Sequence, residues 1–290
     1  MENMNVMTNK VDFALVISVK NANPNGDPLN GNRPRTTFDD YGMITDVCIK
    51  RKIRNRLQDM GERIFVQSDG RSDDGFNSLE ARAINCANNA GIDTKTKDKM
   101  KLTKDIANAY CREFIDVRAF GTLAAFNKIE STNVRGPITI QMAESVSPVD
   151  ISEMQITKSV NGCEKDSKAS DTMGTKSFVN YGVYVVRGTI NANLAEKTGL
   201  TVDDVNKIKG ALRTLFENDE SSARPSGSMN VEKMYWWEHD GKNPKYSSAR
   251  VFEQLNITLN EGLIIPTKFE DYTITLNELD DVNCEVWSNR

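Results

Sequence analysis

The alternation of apolar and polar side chains near the N-terminus is the clearest pattern in the chain. Every second residue from position 11 to position 19 is a large apolar one. This period of two predicts a β-strand with one face on the core. Shorter patterns predict further strands at 116–121, 134–144, 180–192, 231–239, 257–259 and 263–269.

Apolar residues at helical spacing predict two helices that pack on a core. The first begins near Thr45, and its apolar stripe comprises Ile49, Ile53, Leu57 and Met60. The second opens at Thr201 with a capping-box pattern to Asp204, and its stripe comprises Val205, Ile208, Leu212, Leu215 and Phe216. Between about 62 and 115 the periodicity weakens, so we expect an insertion outside the main sheet, with helices over 79–88 and 95–114.

Residues 155–178 have no core-forming period. They are expected to form either an extended hairpin that leaves the body of the protein or a surface loop. The remaining elements follow the order β-α-β-β-α-β, which is the ferredoxin-like plan of an α+β fold. RNA-recognition domains use this plan with one face of the sheet toward RNA.

A loop rich in Asn, Gly and Pro follows the first predicted strand. Asn25-Gly26 and Asn30-Gly31 favour positive φ, so successive backbone N–H groups can line up as a nest for an anion. Arg33 and Arg35 close this loop. The loop therefore predicts a site for an anionic ligand.

The helix after this loop carries five cations with no acid among them, at Lys50, Arg51, Lys52, Arg54 and Arg56. We expect these side chains to lie outside, unneutralised, and to form with the loop a cradle for a polyanionic backbone. The alternative is a surface turn before a solvated basic helix. Internal ion pairs of Lys50, Arg51 and Arg54 would contradict the cradle.

The charge of the whole chain is unevenly distributed. The net charge is −4 over 290 residues, but eight acidic and two basic residues from position 251 onward carry −6, which leaves the first 250 residues at +2. Overall acidity therefore does not exclude a local site for nucleic acid. The five scattered cysteines suit a reducing cytosol, and we expect neither a signal peptide nor a membrane span.

Candidate catalytic chemistry is sparse in the sequence. The single histidine, His239, lies beside Trp237 and is expected to be a structural hydrogen-bond partner. Asp39, Asp40 and Asp46 could hold Mg²⁺, but Asp46 also suits the first turn of a helix. Either residue of the Trp236-Trp237 pair could stack on a base, although alternation places at least one of them in the core. We predict no catalytic residue, no metal and no cofactor.

Several blocks of sequence, in order, resemble a known family: NPNGDPLNGNRPRT, ITDVCIKRKIRN, DVRAFG, VRGPI, an MG-K segment, YGVY and SSARPSGSM. Over residues 11–240 they resemble the backbone subunit of the type I-C CRISPR surveillance complex (Cascade), within the RAMP superfamily. The RPSGSM loop departs from the shorter Ala-Arg-Gly form of that family, which leaves its RNA contacts open.

The resemblance implies one RRM-like palm over residues 1–290, with a finger insertion at about 62–115 and a protruding thumb β-hairpin at about 150–180. It implies copies that polymerise head to tail along CRISPR RNA and present the guide for pairing with target DNA in antiviral defence. The implied partners also include the small, large and RNA-processing end subunits of Cascade. The implied location is the cytoplasm, without membrane contact.

The resemblance also implies the residues that contact RNA. On the palm these are Asn23, Asn25, Arg33, Lys50, Arg51 and Arg54, with Arg118 and Arg135 as further candidates. On the thumb they are Lys158, Met173 and Lys176, with Met173 as an apolar wedge against a displaced base.

Two other functions remain open at this point. Related RAMP backbone subunits cut RNA with a loop aspartate, so a metal-dependent RNase that uses Asp27 or Asp39 is the alternative enzyme. A plain structural domain without nucleic acid is the other. We also hypothesise that the acidic C-terminal segment helps the contact between copies or keeps free subunits from stray RNA.

Overall fold

The computed structural model describes residues 5–157 and 173–289. The strands are β1 (Val11–Ala22), β2 (Gly26–Asp27), β3 (Arg33–Pro34), β4 (Tyr41–Ile44), β5 (Gly121–Ala124), β6 (Thr132–Arg135), β7 (Ile138–Ile140), β8 (Ala143–Pro148), β9 (Ile151–Thr157), β10 (Met173–Ile190), β11 (Met229–His239), β12 (Leu255–Leu259), β13 (Tyr272–Leu276) and β14 (Val282–Ser288). The helices are α1 (Asp46–Asp59), α2 (Leu79–Asn89), α3 (Lys99–Glu113), α4 (Ile115–Phe120), α5 (Ala192–Thr198), α6 (Val202–Arg213) and α7 (Ser248–Phe252). The fold is therefore α+β.

A central antiparallel sheet organises the molecule, in the order β14-β11-β1-β10-β8-β4, with β7 and β9 also paired to β10. Strand β1 is buried on both faces, and the expectation of one core-facing side is wrong. Phe13 and Leu15 point into one core, and Ala14 and Val16 point into another. The second core exists because α7 and the β12–β13 hairpin cover that face of the sheet.

The main core lies between the sheet and the helices α1, α5 and α6. Helix α1 begins at Thr45 as predicted, with the Thr45 hydroxyl accepting from the Cys48 N–H. Its stripe is buried apart from Met60, which caps the C-terminus and is 40% exposed. Helix α6 has the predicted capping box between Thr201 and Asp204.

The predicted insertion has its own core, formed by α2, α3 and α4 around residues such as Phe65 and Tyr110. The prediction of a strand at 116–121 is wrong, because residues 116–120 belong to helix α4. The helix ends at Gly121, whose φ is +74°. The buried carboxylate of Asp116 accepts the N–H groups of Phe65 and Val66 at 2.8 and 3.2 Å. These contacts hold α4 against the chain that enters the insertion.

Two other predicted strands differ from the structure. The 134–144 segment is divided among β6, β7 and β8, and its first break lies at Gly136 and Pro137. Residues 263–269 are a turn and not a strand, since the hairpin partner of β12 is β13.

The predicted hairpin is present where the structure describes it. Strands β9 and β10 pair from Ile151 opposite Val179 to Thr157 opposite Met173. The stretch between them, 158–172, lies outside the described residues. Within the described ranges, none of the helices has the length and apolar character that a membrane crossing requires.

Candidate nucleic-acid interface

Two loops meet at the end of β1 and form the candidate site. The first runs from Asn23 to Arg35, and the second, 219–228, connects α6 to β11. The Asn23 N–H donates to the Ala223 carbonyl at 2.9 Å, and the Lys20 N–H donates to the Ser228 carbonyl at 2.8 Å. We call these segments together the two-loop site.

The asparagines of the first loop have internal partners. The Asn25 Oδ1 accepts from the N–H and the hydroxyl of Thr45, both at 3.0 Å, and so fixes the loop to the start of α1. Asn23 is 4% exposed, and its Nδ2 donates to the Asn32 carbonyl at 2.6 Å. Both asparagines therefore hold the first loop in its conformation.

The prediction that the first loop forms a nest of free N–H groups is wrong. The N–H groups of Asn30 and Asn32 both donate to the Asp27 carbonyl, and that of Leu29 donates to the Asp27 carboxylate. Gly31 has the expected positive φ of +56°, but Gly26 does not. Gly26 is required for space instead, because a Cβ there would lie 2.1 Å from Asn32 Oδ1.

The expectation that the cations of α1 are unneutralised is also wrong, and the internal ion pairs of Lys50 and Arg54 contradict the predicted cradle at these two residues. Lys50 pairs with Asp46 at 2.9 Å, and Arg54 Nε donates to buried Asp116 at 2.9 Å. Two more cations of this helix are also paired, Lys52 with Asp219 and Arg56 with Glu217. Three of these four acids lie far away in sequence, which is why a count of acids within the helix missed them.

Arg51 is the one of these five cations that forms no ion pair within the described residues. Its Nη1 donates to the Val66 carbonyl at 2.6 Å. Burial lowers the pKa of its guanidinium, and the nearby Arg54 cation acts in the same direction. The Asp116 carboxylate opposes this shift, but it is already paired with Arg54, and the Arg51 guanidinium keeps its charge.

A buried ion-pair cluster anchors the second loop to α1. Lys52 is 4% exposed and pairs with Asp219, which also accepts from Arg224 Nε at 3.1 Å. Burial lowers the pKa of Lys52, and the Asp219 carboxylate opposes that shift. The cluster places the partly exposed Arg224 beside the first loop. The sequence pattern singled out this loop but not this arginine.

Three polar atoms in the two-loop site are buried and have no hydrogen-bond partner among the described residues: Asn23 Oδ1, Arg35 Nε and Ser228 Oγ. Leaving such an atom unpaired costs about 1–3 kcal/mol. A ligand with both hydroxyl donors and anionic acceptors would satisfy all three. Ribose and phosphate groups have this combination.

The loop arginines form ion pairs at the edge of the site. Arg33 pairs with Glu153 on β9, and Arg35 pairs with Asp27 at 3.3 Å. The Arg33 and Glu153 side chains are 39% and 49% exposed, so water screens the pair and a competing phosphate can replace the carboxylate. The pair also ties the first loop to the base of the β9–β10 hairpin.

The other predicted RNA contacts lie outside the two-loop site. Arg118 donates to Asp204 at 2.9 and 2.7 Å and to the Cys111 carbonyl, so it joins α4 to α6. Arg135 on β6 is exposed and forms no ion pair within the described part of the chain. Lys176 is half-buried on β10, opposite Met154. Lys158 and the Met173 side chain are outside the described residues.

The remaining chemical candidates are buried. His239 Nε2 lies 2.7 Å from Asp12 Oδ2, which agrees with its predicted role as a structural hydrogen-bond partner. Trp236 and Trp237 pack into cores on opposite faces of the sheet, so neither can stack on a base. In residues 5–157 and 173–289, no group of three or more His, Cys, Asp or Glu side chains is arranged to hold a metal ion.

Comparison with known proteins shows similarity to one family. The family described as "CRISPR-associated protein Cas7" matches residues 9–277. A "CRISPR-associated protein Cas7" from Haloferax volcanii is 27% identical over 238 residues, which cover 76% of this chain and 67% of the relative.

Two solved structures have a similar chain fold. A chain of a "CRISPR RNA-guided surveillance complex, pre-nicking" is 16% identical, with a TM-score of 0.52 over 87% of this chain and 81% of that chain. A chain of a "CRISPR RNA-guided surveillance complex" is 18% identical, with a TM-score of 0.48 over 84% and 74%. At this identity, the first structure supports the mixed α+β fold with a central antiparallel sheet.

Proposed function

Because the chain belongs to the CRISPR-associated protein Cas7 family, we propose that it is a non-catalytic backbone subunit of a type I-C Cascade complex. In this role it binds CRISPR RNA and presents the guide for pairing with target DNA in antiviral defence. The observation that carries the proposal is the family match over nearly the whole chain. The two-loop site supplies a place for the RNA.

The strand order supports an RRM-like palm. Strands β11-β1-β10-β8, with α1 after β1 and α6 after β10, follow the ferredoxin-like arrangement. We assign residues 1–290 to one domain, with the helical insertion at about 62–115 as the finger. The β9–β10 hairpin, within about 150–180, is the proposed thumb.

The proposed RNA contacts centre on the two-loop site. We assign phosphate contacts to Arg33, Arg35 and Arg224, and ribose contacts to the unpaired atoms of Asn23 and Ser228. These contacts are indifferent to base sequence, as a subunit that coats any guide requires. Arg135 and the thumb residues Lys158, Met173 and Lys176 remain proposed contacts outside this site.

The residues of α1 have different proposed roles. Lys50 remains a proposed phosphate contact, because its partly exposed pair with Asp46 is of the helical i,i+4 kind, which is typically worth only about 0.3–0.5 kcal/mol. Arg51 remains one because its guanidinium bonds to the Val66 carbonyl and forms no ion pair within the described residues. Arg54, Arg118 and Asn25 are assigned to positioning, since each is bonded to groups that hold the fold together.

The proposed partners follow from the role as backbone subunit. Copies associate head to tail along the guide, and the thumb of one copy displaces a base at regular intervals. The assembly includes the small, large and RNA-processing end subunits of Cascade and is proposed to act in the cytoplasm. No cofactor is part of the proposal.

RNA binding by the full chain tests this function. We expect fluorescence anisotropy with labelled single-stranded RNA to show tight binding that weakens with salt, at a slope of about −0.7 per phosphate neutralised. Arg33→Gln and Arg224→Gln should each lower affinity by at least about fivefold and make the slope shallower. The matched control is Arg250→Gln, because Arg250 is exposed on α7 and its one ion pair among the described residues is with Glu253. Wild-type protein that binds no RNA would refute the proposal and favour a plain structural domain.

The same labelled RNA, incubated with Mg²⁺, tests the alternative RNase function. The proposed scaffold leaves target RNA intact. Regularly spaced cuts that disappear in Asp27→Asn or Asp39→Asn would instead establish a metal-dependent enzyme.

A further inference from the structure

Each of the three arginines in the two-loop site is paired with a carboxylate. The pairs are Arg33 with Glu153, Arg35 with Asp27 and Arg224 with Asp219. An RNA phosphate that binds one of these arginines has to share it with the carboxylate or replace the carboxylate. What else each acid bonds to therefore decides which arginine a phosphate can take over.

Asp27 and Asp219 are both needed by the fold. The Asp27 carboxylate accepts the Leu29 N–H at 3.2 Å and so holds the turn of the first loop. Asp219 is also the partner of Lys52, which is 4% exposed. Moving either carboxylate away from its arginine would disturb these internal contacts as well. Both acids therefore stay in place when a ligand binds.

Glu153 has no second structural role of this kind. Among the described residues, the partner of its carboxylate is Arg33, and the Glu153 side chain is 49% exposed. It lies on β9, where residues 153–157 are all exposed. The carboxylate can therefore turn into water without leaving a buried polar group unpaired.

Arg33 keeps its position when Glu153 turns away. Its N–H donates to the Asn30 carbonyl at 2.9 Å, and the β2–β3 ladder pairs it with Asp27. Both contacts belong to the first loop and not to β9. A guanidinium uses the same fork of N–H donors for a carboxylate and for a phosphate. Glu153 and an RNA phosphate therefore compete for one set of donors.

We propose that Glu153 is an internal competitor that occupies Arg33 in the free protein and lowers its affinity for RNA. This inference rests on the proposed function and names a regulation of the two-loop site. Exposed ion pairs are weak, so the competition lowers RNA affinity by a factor of about two to five. A strand of RNA still displaces Glu153, because its other phosphates bind Arg35 and Arg224 at the same time.

A double-mutant cycle on the full chain tests the competition. Glu153→Gln removes the carboxylate charge and keeps the length of the side chain. We expect it to raise the affinity for a labelled short single-stranded RNA about two- to fivefold at low salt, as measured by fluorescence anisotropy. In an Arg33→Gln background the same change should have little effect, because the competition acts through Arg33. The matched control is Glu144→Gln, which removes an exposed charge from β8.

The cycle has three outcomes that would overturn the inference. A lower RNA affinity in Glu153→Gln would make Glu153 a residue that positions Arg33 for binding. Unchanged affinity would show that the carboxylate does not compete. An equal gain with and without Arg33 would assign the effect to long-range repulsion of RNA.

Modification of Arg33 by phenylglyoxal, mapped by mass spectrometry without RNA, tests the ion pair by itself. We expect faster modification of Arg33 in Glu153→Gln than in wild type, whereas equal rates would overturn the inference. If wild type binds RNA but the cycle shows no coupling, only this inference fails. If neither wild type nor Glu153→Gln binds RNA, the proposed function fails and the inference fails with it.

Discussion

Charged residues that look like ligand contacts in the sequence often serve as internal connections in this protein. Arg54, Arg118 and Lys52 each reach a buried or half-buried carboxylate more than 60 positions away in the chain. Their positive charge was predictable from the sequence, but their neutralisation was not, because it depends on which loops the fold brings together. Arg224 behaves differently, because its partner Asp219 lies on the same loop and positions the arginine at the candidate site.

Lys52→Ala tests the internal role of one such cation. Removing one partner of a buried ion pair costs about 3–5 kcal/mol. We expect a loss near 3 kcal/mol in the free energy of unfolding, because Arg224 still pairs with Asp219. Urea unfolding measures it. Lys20→Ala is the control, since Lys20 is exposed and its ammonium forms no ion pair in the described ranges. If Lys52→Ala loses no more stability than Lys20→Ala, the Lys52 ion pair is not needed for stability.

The Arg118–Asp204 pair predicts a pH dependence of stability. Burial acts to raise the pKa of Asp204, but hydrogen bonds from Arg118 and the Thr201 N–H lower it overall. A pKa that folding lowers adds stability above the unfolded value of about 3.9, and this stability is lost as the pH falls through the folded value.

Asp204→Asn should therefore be less stable than wild type near neutral pH and lose less stability as the pH falls from 5 toward 2. Unfolding free energies across that range provide the comparison. Asp203→Asn, at a neighbouring position where the side chain is 74% exposed, is the control. Parallel curves for wild type and Asp204→Asn would show that the pair does not contribute to acid sensitivity.

At the scale of elements, strong periodicity predicted structure well and weak periodicity did not. The capping box at Thr201 is confirmed, as are the buried stripes of α1 up to Leu57 and of α6 up to Leu212. Met60 is exposed, and Leu215 and Phe216 lie beyond the end of α6. The 116–121 segment lies mostly in helix α4, which Asp116 fixes by accepting the backbone N–H groups of Phe65 and Val66. No local sequence pattern predicts this long-range contact. The apolar run at 263–269 resembles a strand in composition, but it is the exposed turn of a hairpin.

The close packing of the central strands yields a prediction at the same scale. A Cβ at Gly188 on β10 would lie 2.3 Å from the ring of Phe13 on β1. Gly188→Ala should therefore cost about 1–3 kcal/mol of stability, since the ring is fully buried and has no room to move. Gly70→Ala, where a Cβ meets open space, should be neutral or slightly stabilising when the thermal unfolding of both variants is compared with that of wild type. Equal stability of both variants would contradict the packing described for the sheet.

At the scale of the whole molecule, the sheet lies between two cores. The ferredoxin-like plan predicted from the order of elements suggested a sheet face open to RNA. The β12–β13 hairpin and α7 cover the Ala14 and Val16 face, and helices cover the other. We therefore place the proposed RNA site at the loops at the end of β1. The fold class was predictable from periodicity. The packing of the β12–β13 hairpin and α7 on the sheet was not, because the C-terminal strands are short and lack a strong pattern.

The central claim is that the two-loop site holds the sugar–phosphate backbone of RNA. Ultraviolet cross-linking of the full chain to a bound single-stranded RNA, followed by mass spectrometry of the cross-linked peptides, tests it most directly. We predict cross-links in residues 23–35 and 219–228. Cross-links confined to α3 and the rest of the helical insertion, with none in these two loops, would contradict the claim.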